Sequence, residues 1–194
     1  ENVVVVSAPA SLTNCPGTSA NFSVSATGTG LSYQWYKDGS PLATQTASSL
    51  VLGSVSATDA GTYSVVVTSV CADAMTNSAT LTVNENVVVV SAPASLTNCP
   101  GSSASFSVSA TGTGLSYQWF KDGDPVDNAV AASFDIFGVE LADAGDYTCM
   151  VTNGCGSDTS SAATLTVFCR SDFDQDGFVT GVDFDLFRVA FEAG

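Results

Sequence analysis

Three aspartates on alternate residues, Asp172, Asp174 and Asp176, stand directly before Gly177 near the end of a 194-residue chain. Short carboxylates at this spacing turn inward around one hard cation, and the glycine permits the sharp turn that gathers them. Counted from Asp172, Phe178 offers a backbone carbonyl at position 7, Thr180 stands at position 9 and Asp183 closes the set at position 12. Such an all-oxygen set suits calcium, the cofactor this reading expects. Other chemistry is excluded by composition. The chain has no histidine, so it offers no Ser-His or Cys-His pair and no His-ligated zinc or haem. Four bases against 19 acids, a net charge of −15, leave no basic footprint for nucleic acid or an anionic membrane. A basic partner, a cation or a neutral glycan fits this balance. Asp122, Asp124 and Asp127 could suggest a glycosidase pair, but they fall in a turn where solvated acids are expected. No catalysis is expected.

The elements that carry these residues follow from a repeat. Residues 1–84 and 85–168 align without a gap, and over their first 35 positions only Thr18/Ser102 and Asn21/Ser105 differ. The last 26 residues have a different composition. The chain therefore divides into a first repeat (1–84), a second repeat (85–168) and a tail (169–194). Within each copy "FSVSA", "LSYQW", "YSVVV" and "ATLTV" alternate with the period of strands, separated by Gly and Ser clusters. Apolar residues make up 45% of the chain, yet no stretch approaches the ~20 that a spanning helix needs. The expected fold is all-β, an antiparallel β-sandwich made twice, followed by a calcium loop and one helix.

"YQWYKDG" at 33–39 and "YQWFKDG" at 117–123 resemble strand C of immunoglobulin-like domains with its core tryptophan. "DAGTY" at 59–63 and "DAGDYTC" at 143–149 resemble the corner leading into strand F, where a tyrosine hydroxyl bonds back to the backbone. The resemblance covers residues 1–168 and lies nearer to secreted bacterial immunoglobulin-like repeats than to antibody or receptor domains. The usual inter-sheet cysteines would fall at Val24 and Val65, and at Val108 and Cys149, so that bridge is absent from both copies. The cysteines that repeat are Cys15/Cys99 and Cys71/Cys155. The arrangement implies Cys15–Cys71 and Cys99–Cys155 bridges at one end of each sandwich, each closing a loop of about 56 residues worth roughly 4 kcal/mol. Cys149 is expected as a buried thiol. Cys169 is expected to pair outside the segment, with a cysteine beyond Gly194 or with another molecule. Bridged cysteines imply an oxidising compartment, hence a secreted or cell-surface protein. The start at Glu1 without a signal peptide fits a processed chain and a fragment equally.

"ENVVVV" opens both copies. On a strand, Val3 and Val5 face one way, Val4 and Val6 the other, so the second face calls for a cover. That cover is an assembly contact or a local loop. Pro9 and Pro93 follow, where the strand can pass from one sheet to the other. Only Asn84, Glu85 and Asn86 separate the copies, without a Gly/Ser or Pro linker, which predicts two sandwiches stacked as a stiff rod.

The tail has EF-hand spacing, but Asp rather than Glu closes it and no helix leads in. In both respects it resembles half of a dockerin module. The exiting helix would carry Phe184, Phe187 and Phe191 on one face, a docking contact. The combined expectation is an extracellular structural or adhesive protein that docks by its tail to copies of itself, head to tail, or to a surface protein. An alternative is a non-catalytic accessory region of a larger secreted hydrolase. Glycan binding has only Tyr36 and Phe120 as a thin platform.

Overall fold

Alternating Ser/Thr and apolar residues place every second side chain on one face, and in each copy these faces close on a tryptophan. A computed structural model describes residues 2–70 and 72–168, and its contacts divide the chain after Asn86. The first unit has nine strands: β1 (Val4–Ser7), β2 (Leu12–Asn14), β3 (Ala20–Ser23), β4 (Ser25–Thr27), β5 (Ser32–Lys37), β6 (Ser40–Pro41), β7 (Ser49–Leu52), β8 (Gly61–Ser69) and β9 (Ala72–Val83). One layer runs β2-β9-β8-β5-β6; the other is made of the pairs β1–β4 and β3–β7. β3 and β4 are halves of one run broken at Val24, whose N–H donates to the Ser48 carbonyl at 2.9 Å.

The second unit repeats this with β10 (Val88–Ser91), β11 (Leu96–Asn98), β12 (Ser103–Ser107), β13 (Ser109–Thr111), β14 (Ser116–Lys121), β15 (Asp124–Pro125), β16 (Ser133–Phe137), β17 (Gly145–Asn153), β18 (Gly156–Thr159) and β19 (Ala163–Val167). Its main layer runs β11-β19-β17-β14-β15, with β18 also on β17. Single 3-10 turns, Ala57–Asp59 and Leu141–Asp143, precede β8 and β17. Among the described residues there is no α-helix, so none is long and apolar enough to cross a membrane.

The all-β sandwiches are antiparallel as expected except at one pairing in each unit. Leu12, Thr13 and Asn14 pair in parallel with Leu81, Thr82 and Val83, and β11 pairs with β19 in the same way. The reason lies at the prolines. β1 pairs with β4 in one layer, the chain passes Pro9, and the same run continues as β2 in the other layer. A proline N cannot donate to a ladder, so the crossing falls where no bond is lost.

Trp35 and Trp119 are fully buried, and each indole N–H donates to a carbonyl, Ala47 and Ala131, at 2.9 Å. Phe22 stacks on Tyr63 with centroids 4.9 Å apart; Phe106 stacks on Tyr147 at 4.7 Å. In the second core Phe134 takes the place of Leu50 and adds ring contacts to Trp119 and Tyr147. The β5–β6 and β14–β15 hairpins turn at Asp38-Gly39 and Asp122-Gly123, with all four φ values positive. Two positive φ angles match the twist of the flanking strands, which is why Asp-Gly stands there.

Candidate functional site

The calcium set, Asp172, Asp174, Asp176, Phe178, Thr180 and Asp183, and the docking stripe, Phe184, Phe187 and Phe191, lie outside the described residues. Among the described residues no cluster of three or more acidic or sulfur side chains is placed to hold a metal. What the structure does describe is the two ends of each sandwich and an apolar edge.

One end is the corner before β8 and β17. The Tyr63 hydroxyl donates to the Asp59 carbonyl, and that of Tyr147 to the Asp143 carbonyl, each at 2.8 Å. These are the bonds the corner motif implied. Asp59 accepts the Ser56 backbone N–H and hydroxyl at 2.8 Å, and the hydroxyl first of all holds its carboxyl below the usual range. A role not read from the sequence belongs to Asp38 and Asp122. Each carboxylate leaves its hairpin turn to accept the backbone N–H of Thr62 (2.9 Å) or Asp146 (2.8 Å). Lys37 and Lys121 pair with these same carboxylates at 2.6 and 2.9 Å. The signal was the pair of motifs "KDG" and "DAG", in which the second glycine leaves room for the first aspartate.

Burial, then the nearby Asp143 and Asp122, pushes the Tyr147 phenol up to about 12 from its ordinary value near 10. The fold therefore holds the neutral phenol. That contribution is full below pH 10 and is lost as pH rises through 12. Thermal melts between pH 9 and 12 should show the second sandwich weakening over this window, and Tyr147→Phe should flatten that slope. An unchanged slope would remove Tyr147 as its origin.

The cysteines bring the main correction. Cys15, Cys99 and Cys155 are disulfide-bonded, and Cys149 is a free, buried thiol beside Trp119, as expected. The expected Cys99–Cys155 pairing does not fit the topology of the second copy. Cys99 follows Asn98, which pairs with Val167, and Gly101 donates to the Val139 carbonyl at the corner end. Cys155 sits in the hairpin closed by Asn153 and Gly156, at the far end of β17. From Gly145, opposite Leu165, β17 runs eight residues to Asn153, roughly 25 Å at a strand's rise. A disulfide spans only about 5.5 Å between Cα atoms. Cys99 and Cys155 are therefore not bonded to each other. In the first unit Cys15 likewise follows Asn14 at the corner end, with Gly17 donating to the Val55 carbonyl. The β8–β9 hairpin closes at the other end, between Ser69 and Ala72. Cys71 lies outside the described residues.

The valine strand divides by face. Val3 is buried and Val5 packs against the core, so neither is open for assembly; Val4 and Val6 are 56% and 66% exposed. Val88 and Val90 repeat this in the second unit. Phe137, opposite in parity to Phe134 and Ile136, is 81% exposed. Of the glycan platform, Tyr36 and Phe120 are both half-buried. The copies differ at β10, where the Asp158 carboxylate accepts the Val89 N–H at 2.8 Å.

Two sandwiches with a parallel first-to-last strand pairing, a core tryptophan and a tyrosine corner define tandem immunoglobulin-like domains. Residues 3–83 and 87–167 each match the immunoglobulin I-set domain, and the chain belongs to that family. A relative, the muscle M-line assembly protein unc-89 of Caenorhabditis elegans, is 31% identical over 173 residues; the match takes in 78% of this chain and 2% of that protein's length. Among solved structures, titin domains I67-I69 superpose with a TM-score of 0.76 at 22% identity, over 85% of this chain and 65% of that one. Sidekick-1 immunoglobulin domains 1–5 give 0.71 at 20%, over 85% of this chain and 38% of that one. At such identities these structures share the fold.

Proposed function

We propose that the chain is a non-catalytic structural or adhesive segment of an extracellular protein, with a calcium-stabilised tail that docks it to a further copy or a surface protein. The observation that carries this is the tandem match itself: two I-set domains separated only by Asn84, Glu85 and Asn86. Short joins limit the independent swing of neighbouring domains, which suits a spacer. A relative named as an assembly protein supports a structural part. Disulfide-bonded cysteines favour an oxidising, extracellular setting. Calcium rests on the spacing of Asp172, Asp174, Asp176 and Asp183 alone.

Negative-stain electron microscopy in millimolar calcium, then in chelator, tests the reading. Filaments that form with calcium, fray without it and fail to form in Asp174→Ala are the expected result. Single particles under every condition, with no calcium binding by titration calorimetry, would overturn the docking role of the tail. Single particles that still bind calcium would overturn self-assembly and leave a surface protein as the partner.

A further inference from the structure

Placing Cys99 and Cys155 at opposite ends of one sandwich leaves each bonded cysteine in need of another partner. With Cys149 a buried thiol, five cysteines remain, an odd number, so the chain cannot pair them all within itself. Strand geometry selects the partner of Cys99. β11 and β19 run side by side in the same direction, and Leu96, Thr97 and Asn98 lie opposite Leu165, Thr166 and Val167. The ladder continues one step further, since the Phe168 N–H donates to the Asn98 carbonyl at 2.9 Å. Cys99 is the residue after Asn98, and Cys169 the residue after Phe168. Neighbouring strands lie about 4.8 Å apart, and successive Cα atoms about 3.8 Å. Cys169 is thus one covalent step from Phe168, as Cys99 is from Asn98, and strand and chain spacings of this size fall within the span a disulfide bridges.

We infer that Cys99 is bonded to Cys169, clipping the exit of strand β19 to the turn after β11 and tying the root of the calcium-loop tail to the second sandwich. Two thiols give up two protons and two electrons when the bridge forms. A carrier disulfide of the thiol oxidoreductase class accepts them by exchange and leaves as a dithiol. In the first copy the position matching Cys169 is Glu85, so the clip belongs to the last repeat alone.

Peptide mapping of the full chain without reduction tests this. Free thiols are blocked with N-ethylmaleimide at neutral pH, and the protein is unfolded and cut with chymotrypsin. The expected product joins peptide 97–106 to peptide 169–173. Recovery of 97–106 joined to the peptide holding Cys155, or to any other cysteine peptide, overturns the inference. As a second reading, Cys169→Ser should change Cys99 from unlabelled to fully alkylated while Cys15 and Cys155 stay protected. A Cys99 that remains protected in that variant also overturns it.

Discussion

Trp119→Ala should lower the stability of the second sandwich by about 3–5 kcal/mol. The indole is fully buried, with Phe106 and Phe134 each at 6.1 Å between centroids. Alanine leaves a cavity those rings can fill only in part. It also strips the Ala131 carbonyl of its indole donor, and an orphaned buried acceptor adds its own cost. For a domain of this size each kcal/mol moves the midpoint by about 4–8 °C, so a loss of 12 °C or more is expected. The variant keeps Trp35 as its only tryptophan, so fluorescence then reports the first sandwich while circular dichroism follows both. A midpoint lowered by less than about 4 °C would mean the tryptophan is not the keystone of this core.

The second large effect is expected from a glycine. Gly145 sits at φ +152°, and a Cβ added there would lie 2.5 Å from an Asp122 carboxylate oxygen. Gly145→Ala therefore carries two costs. The backbone is held where side chains rarely go, about 1–3 kcal/mol. The carboxylate must also swing off the Asp146 N–H that it accepts. A loss of about 2–4 kcal/mol in chemical denaturation is expected. Gly101→Ala separates the two parts, because Gly101 has φ +80° but no atom within 4 Å of its added Cβ, so only the backbone cost applies. Equal losses at the two sites would show that the Asp122 contact contributes nothing.

Much of this architecture was legible because its signals are local or repeated. The 84-residue offset, the alternating strands, the buried tryptophans and the tyrosine corner were all written in residue order. Pro9 correctly marked the crossing between layers. The direction in which β2 meets β9 was not legible, because side-chain alternation specifies a face and not the partner's polarity. The cysteine error followed from that gap. A tandem duplication copies both cysteines together, so it looks the same whether bridges close within a copy or beyond it. Only the parallel ladder places Cys99 and Cys155 at opposite ends. Asp38 and Asp122 were missed for a related reason: an acid in an Asp-Gly turn looks solvated until the glycine 23 residues later is seen beneath it. The calcium loop remains a reading of spacing.

The parallel pairing also decides how each sandwich answers a pull. In the first unit the chain enters beside Gly28, where Asn2 and Val3 lie against the loop before β5, and leaves past Val83 at the opposite end. Tension between those points drags β2 one way and β9 the other along their common direction. The ladder over Leu12–Asn14 is then sheared, so its bonds share the force and must fail together rather than peel one at a time. The same three-residue patch recurs at Leu96–Asn98. The first sandwich thus carries a mechanical clamp beside its first proline, whereas in the second a Cys99–Cys169 bridge would lead the load past the matching ladder.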